Sequence, residues 1–196
     1  MGAFHAGPND GVEGDGTLVL LGPNEPGFWA HVTAAPEFAD GMPDPLDRWS
    51  ARVTDGIARD LGGRPLYPFG NPVRPFISWA LASGHAWSSP VGLLVHDTAG
   101  LLVSYRGAIL LPKRLALPDT GMSPCDSCAK KPCLNACPPR ALTKDGYRLP
   151  ACHAYLETTP GQDCMDAGCR VRLACPISQS YRRDPAQSAY HMRQFH

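Results

Sequence analysis

The first 124 residues contain no cysteine. Thiolate metal sites and disulfides are therefore excluded from that stretch. Net charge is missing too: 18 Lys+Arg face 18 Asp+Glu, for a formal charge of +0. A chain so balanced does not offer the basic surface that nucleic-acid binding needs, so no nucleic-acid partner is expected. No apolar run approaches bilayer length, and no membrane association is expected. The opening MGAFHAGPNDGVEGDG lacks the basic-then-apolar pattern of a secretory signal. A cytoplasmic, reducing location is expected. Clustered cysteines in such a location bind metal or do redox work more often than they form disulfides.

Familiar catalytic signatures are absent as well. There is no phosphate loop, no GxGxxG behind a strand and no nucleophile-elbow serine. No residue is singled out as catalytic. His31, His85 and His96 are scattered and read as surface or satisfied-core histidines. Trp29, Trp49, Trp79 and Trp87 read as core. Arg106 reads as a solvated strand-end arginine.

What is present is a globular composition, 43% hydrophobic and 18% charged, which supports a real core. Proline (21) and glycine (20) are abundant, so turns and short elements are expected in place of a helical bundle. GTLVLLG (16–22) reads as a buried strand. Asp44 and Pro45 predict a helix start, with Leu46, Trp49, Val53, Ile57 and Leu61 as one apolar stripe and Gly62-Gly63 as its end. A short strand is predicted in 64–70 and a short helix over 75–84. Residues 91–112 read as an antiparallel hairpin turning at Asp97 to Gly100, with a third strand from Gly107 to Leu111. The fold class is α+β. A flexible lead-in (1–15) precedes an α/β layer domain with an antiparallel hairpin (16–118). A cysteine-rich module (119–180) and a C-terminal tail (181–196) that frays or docks on it follow.

All eight cysteines fall in the last 72 residues: Cys125, Cys128, Cys133, Cys137, Cys152, Cys164, Cys169 and Cys175. The first run is C-x2-C-x4-C-x3-C-P, and the last group is C-x4-C-x5-C-P. Bacterial ferredoxins use C-x2-C-x2-C-x3-C-P, in which closely spaced thiolates wrap one cluster and the Cys-Pro turns the chain onward. PPRAL (138–142) and PACHAYLE (150–157) are expected to start short helices. Three chemistries compete. Disulfides need an oxidising compartment. Two zinc sites of four cysteines each are open, although only one C-x2-C pair exists. Two [4Fe-4S] clusters use all eight thiolates and are favoured.

The segments CDSCAKKPCLNACPPRAL, CHAYLE and CMDAGCRVRLACP together resemble the double [4Fe-4S] ferredoxin-like module of epoxyqueuosine reductases and reductive dehalogenases. The resemblance covers roughly residues 123–178. The first half more loosely resembles the flavin- or cobalamin-binding domain of such reductases. The gap between Cys128 and Cys133 is four residues where that family has two. The resemblance implies that Cys125, Cys128, Cys133 and Cys175 hold one cluster. Cys137, Cys152, Cys164 and Cys169 would hold the other. It implies an electron carrier with a redox protein partner. The alternatives are a small cobalamin- or flavin-dependent reductase and a zinc-stabilised binding module. Lys130, Lys131, Arg140, Arg170 and Arg172 lie among the ligands, where they would offset cluster charge.

Overall fold

The computed structural model describes every residue, Met1–His196. The fold is mixed α/β, with small sheets and mostly short helices. Its strands are β1 Ala3–Ala6, β2 Gly16–Leu21, β3 Arg64–Leu66, β4 Ala86–Ser88, β5 Leu94–His96, β6 Gly107–Leu111, β7 Leu142–Thr143 and β8 Gly146–Tyr147. Its helices are α1 Phe28–Thr33, α2 Pro36–Ala39, α3 Pro45–Asp60, α4 Phe76–Ala82, α5 Pro124–Ser127, α6 Leu149–Leu156, α7 Gln162–Ala167, α8 Arg170–Leu173, α9 Pro176–Tyr181 and α10 Pro185–Phe195. The chain packs as two units, neither continuous in sequence. The first takes Met1–Asn24, Ala30–Ala86 and Ser104–Gly121; the second takes Glu25–Trp29, Trp87–Val103 and Met122–His196.

The first unit is built on a four-stranded antiparallel sheet in the order β1-β2-β6-β3. Leu18 of β2 sits opposite Phe4 on one side and Leu110 on the other. Both central strands read as apolar runs because they have a neighbour along each edge, and every residue of β6 is buried. Thr17 on β2 is fully buried and ties the sheet to the chain beyond β6. Its hydroxyl donates to the Lys113 carbonyl at 2.9 Å and accepts from the Leu115 N–H at 2.9 Å. Residues 1–15, expected to be a flexible lead-in, instead supply strand β1 and a 3-10 turn. Alternation across GAFHA was too short a signal to outweigh the surrounding glycines.

Helix α3 forms where the sequence places it, but its buried face differs from the predicted stripe. Leu46, Trp49, Ser50, Thr54 and Ala58 are buried, whereas Ile57 and Leu61 are exposed. The helix approaches the sheet closely, so small residues face it. A Cβ on Gly107 of β6 would stand 2.8 Å from Thr54 Oγ1. Asp44 is left-handed at φ 52 and makes no side-chain cap. The loop before α3 is held from the helix instead: Arg48 bonds Asp40 at 2.7 Å and the Pro43 carbonyl at 2.9 Å. Arg106, expected to be solvated, pairs with Asp47 at 3.0 Å and is largely buried.

The expected hairpin over 91–112 is not the one that forms. β4 pairs with β5, and the turn at Asp97–Gly100 returns only a single bridge, His96 to Gly100. The buried His96 uses Nδ1 to accept the N–H groups of Thr98 and Ala99, which satisfies it inside that turn. β6 joins the first unit's sheet. A strand's partner is a long-range choice that local apolar runs do not encode.

The second unit has a core of Val91, Val95, Leu101, Leu142 and Val171, joined by Cys133 and Cys175. PPRAL does not start a helix: Leu142 enters β7, which pairs with β8. PACHAYLE does, as α6. The C-terminal tail forms α10, capped by Asp184, whose side chain accepts the Ala186 N–H at 2.8 Å, and it packs on α7.

Candidate functional site

The site lies in the second unit, and local backbone geometry explains how each thiol arrives. Ser123 caps α5 by accepting the Cys125 N–H at 3.3 Å. Cys128 ends that helix. The chain then bends at Lys131, left-handed at φ 38, and enters a 3-10 turn, Pro132–Asn135, that carries Cys133 inward. The two residues by which this gap exceeds the ferredoxin spacing are thus spent on an exposed bend. Cys175 comes from much later in the chain, as the N-cap of α9 with Pro176 at its first position. Cys125, Cys128, Cys133 and Cys175 line one cavity of about 320 Å³, walled by Val95, Leu101 and Ile177.

The other four thiols line a second cavity. Cys137 follows the 3-10 turn, Cys152 sits within α6, Cys164 within α7, and Cys169 is the N-cap of α8. With Tyr155, Leu156 and Met192 they enclose about 30 Å³. That is room for a water or two.

Electrostatics sort the thiols in the same way. Burial pushes the Cys125 thiol above its ordinary value, and the neighbours that raise it further are Cys175 and Cys128. Burial also raises Cys133, followed by Cys125, Cys175 and Cys128. In the second set, burial raises Cys152, a bond from Tyr147 opposes it, and Cys169 and Cys137 add to it. Burial raises Cys164, opposed by a backbone bond from Arg170, with Cys169 and Cys152 adding. The Ala141 N–H donates to Cys137 Sγ at 3.2 Å. Such donors tune any metal group that the sulfur binds.

All eight thiols are free. No group of three or more His, Cys, Asp or Glu side chains is arranged to hold a metal ion. A zinc site needs its four donors around one point. A four-iron cluster would bind four thiolates, one on each iron, so the donor set of each cavity has its chemistry. The first cavity also has room for it. The second would have to spread its walls.

Of the basic residues named from the sequence, Lys130, Lys131, Arg140 and Arg170 are exposed, and Arg170 pairs with Asp163 at 2.5 Å. Arg172 differs. Burial of its guanidinium lowers its pKa, against the pull of Cys169 and Tyr147. Ser123, Tyr147 and Met192 were not anticipated as part of the site. Ser-Pro-Cys reads in hindsight as a capped helix start, but nothing local marks Tyr147 or Met192. No family model, no curated protein and no solved structure matches this chain.

Proposed function

We propose that this chain is an electron-transfer protein that carries two [4Fe-4S] clusters. Cys125, Cys128, Cys133 and Cys175 hold one, and Cys137, Cys152, Cys164 and Cys169 hold the other. One observation carries the reading. The eight thiols sort into two cavities of four, and the sorting crosses the sequence order: Cys137 leaves the first run and Cys175 joins it. This is the crossing that the resemblance to the double-cluster ferredoxin-like module implies.

When bound, each cluster would supply a single-electron site. The chain's own residues set its surroundings. Val95, Leu101 and Ile177 exclude water from the first set; Leu156 and Met192 do so at the second. The Ala141 N–H and the Tyr147 hydroxyl steady sulfur charge at the second. Cys133 lies in the 3-10 turn and Cys137 just after it, so the two sites adjoin. One electron arrives from a reduced donor protein and one leaves to an oxidised acceptor protein, with no bond made or broken in the chain.

A cavity of about 470 Å³ in the first unit, lined by Phe4, His5, His85 and Leu117 among others, favours a second reading. There the clusters feed a cobalamin or flavin in a small reductase.

Anaerobic purification with iron, sulfide, zinc, flavin and corrinoid analysis decides among these readings. The carrier gives about eight irons and eight sulfides per chain without an organic cofactor. About two zincs per chain would sink it. Tight binding of added cobalamin or flavin, with reduction through the clusters, would promote the reductase.

A further inference from the structure

The turn between β4 and β5 brings one hydroxyl to the first cavity. Ser89 opens that turn. Its N–H donates to the Leu93 carbonyl at 2.9 Å, and its carbonyl accepts the Gly92 N–H at 2.9 Å. Gly92 is left-handed at φ 74, which lets the chain reverse there. Both backbone groups of Ser89 are thus used, and the side chain is what it has left to offer. Ser89 lines the first cavity together with Cys125, Cys128, Cys133 and Cys175. It is 6% exposed, and its Oγ is buried with no hydrogen-bond partner in the protein. The other polar residues that line this cavity beside the thiols are exposed: Ser127, which bonds the Pro124 carbonyl at 3.3 Å, Lys130 and Lys131. A buried hydroxyl that donates to nothing is costly. The wall around Ser89 is apolar, with Val95, Leu101 and Ile177, and none of those side chains can accept its proton.

We infer that the Ser89 hydroxyl donates a hydrogen bond to a sulfur of the cluster that Cys125, Cys128, Cys133 and Cys175 hold, and that this bond raises the reduction potential of that cluster. The inference rests on the two-cluster reading. Reduction brings one electron from the donor protein, and its charge spreads over iron and sulfur. A hydrogen-bond donor at sulfur stabilises the added charge, so the reduced state gains more than the oxidised one. The apolar wall strengthens the bond, because a hydrogen bond is electrostatically stronger at low local polarity.

The alternative role is a small side chain that only suits the turn, and two substitutions separate the two roles. Ser89→Ala removes the donor and keeps the Cβ. Ser89→Thr keeps the donor. Midpoints of both clusters are read by spin resonance during titration with dithionite, with signals assigned through Cys164→Ser. Ser89→Ala is expected to lower the first midpoint by at least threefold in the equilibrium, about 28 mV for one electron. The second midpoint should stay in place, and Ser89→Thr should stay near the parent value. Electron–nuclear double resonance of the reduced parent in heavy water should show a deuteron coupled to the first cluster that Ser89→Ala lacks. A first midpoint that Ser89→Ala does not move, or a full set of coupled deuterons in that variant, overturns the inference. Stability of the metal-free chains supplies a further check. The hydroxyl has no protein partner to lose, so Ser89→Ala should unfold at the same urea concentration as its parent or a higher one. A lower midpoint, or a failure to fold, shows a structural role and overturns the inference. A parent chain that takes up no iron overturns the two-cluster reading itself. Two clusters with a first potential indifferent to Ser89 overturn this inference alone.

Discussion

Gly100 lies directly against Cys175: a methyl group on Gly100 would stand 3.1 Å from the Cys175 sulfur and 2.5 Å from the Ser178 backbone nitrogen. Gly100 is also left-handed, at φ 58. The turn after β5 therefore reaches the thiol only because this position has no side chain. Gly100→Ala meets a backbone clash and an unfavourable φ together. A destabilisation of about 1–3 kcal/mol is expected, seen as a lower urea midpoint. In protein reconstituted with iron and sulfide, the loss of iron should fall on the first set. Unchanged stability with full iron content would refute the contact's importance.

The crossing of the two thiol sets has its own test. Cys175→Ser should abolish the signal of the cluster held with Cys125, though Cys175 is the last cysteine in the chain. Cys137→Ser should spare that signal and damage the cluster held with Cys152 and Cys169. Spin-resonance spectra of the two reduced variants decide the matter. Loss of the Cys125 signal in Cys137→Ser would show that the first run of four acts as one ligand set.

Acidity offers a third handle. Burial raises the thiols of Cys125, Cys133, Cys152 and Cys164 in the folded chain. In the unfolded chain they ionise at about 8.5. Their folded-state values lie higher, so this contribution to stability is complete below the ordinary thiol value and is lost as pH rises through the folded values. Metal-free, reduced protein is expected to unfold at lower urea near pH 10 than near pH 7. Protein loaded with clusters holds thiolates already, and its midpoint should not show this loss. A metal-free midpoint that is flat over the same range would contradict the assignment.

The first unit can be tested without any metal. Thr17→Val keeps the shape of a fully buried side chain but leaves the Leu115 N–H and the Lys113 carbonyl without their partner. Lys113 and Leu115 are exposed residues and both bonds are only part-buried, so the loss is expected at the low end, about 1 kcal/mol. A fall in thermal midpoint is expected, with iron uptake in the second unit unaffected. A Thr17→Val protein as stable as its parent would mean that those two backbone groups find other partners.

Much of the local structure was legible because it rests on short-range chemistry. GTLVLLG became β2, Pro45 opened α3, Pro150 stands in the first turn of α6, and Pro176 began α9 after Cys175. Each is a run, a proline or a cap that acts on its own neighbours. The misreadings share the opposite property. Ile57 and Leu61 continue an apolar stripe yet lie in solvent, because the sheet's closeness selects Thr54 and Ala58 for the contact face. The hairpin partner of β5 is β4, before it in the chain, and β6 pairs in another sheet.

The cysteine positions, their Cys-Pro endings and the charge balance are properties of the sequence by itself, and the proposal of thiolate ligation starts from them. Which thiols share a cavity was decided by the tertiary structure, since α6, α7 and α8 separate Cys125 from Cys175 along the chain. The same packing leaves Arg172 half-buried, while Lys130, Lys131, Arg140 and Arg170 are exposed. Spacing along a chain fixes what is near a residue within a few positions. Burial and the company of distant groups come from the whole fold, and those two quantities set the charge and reactivity of a thiol.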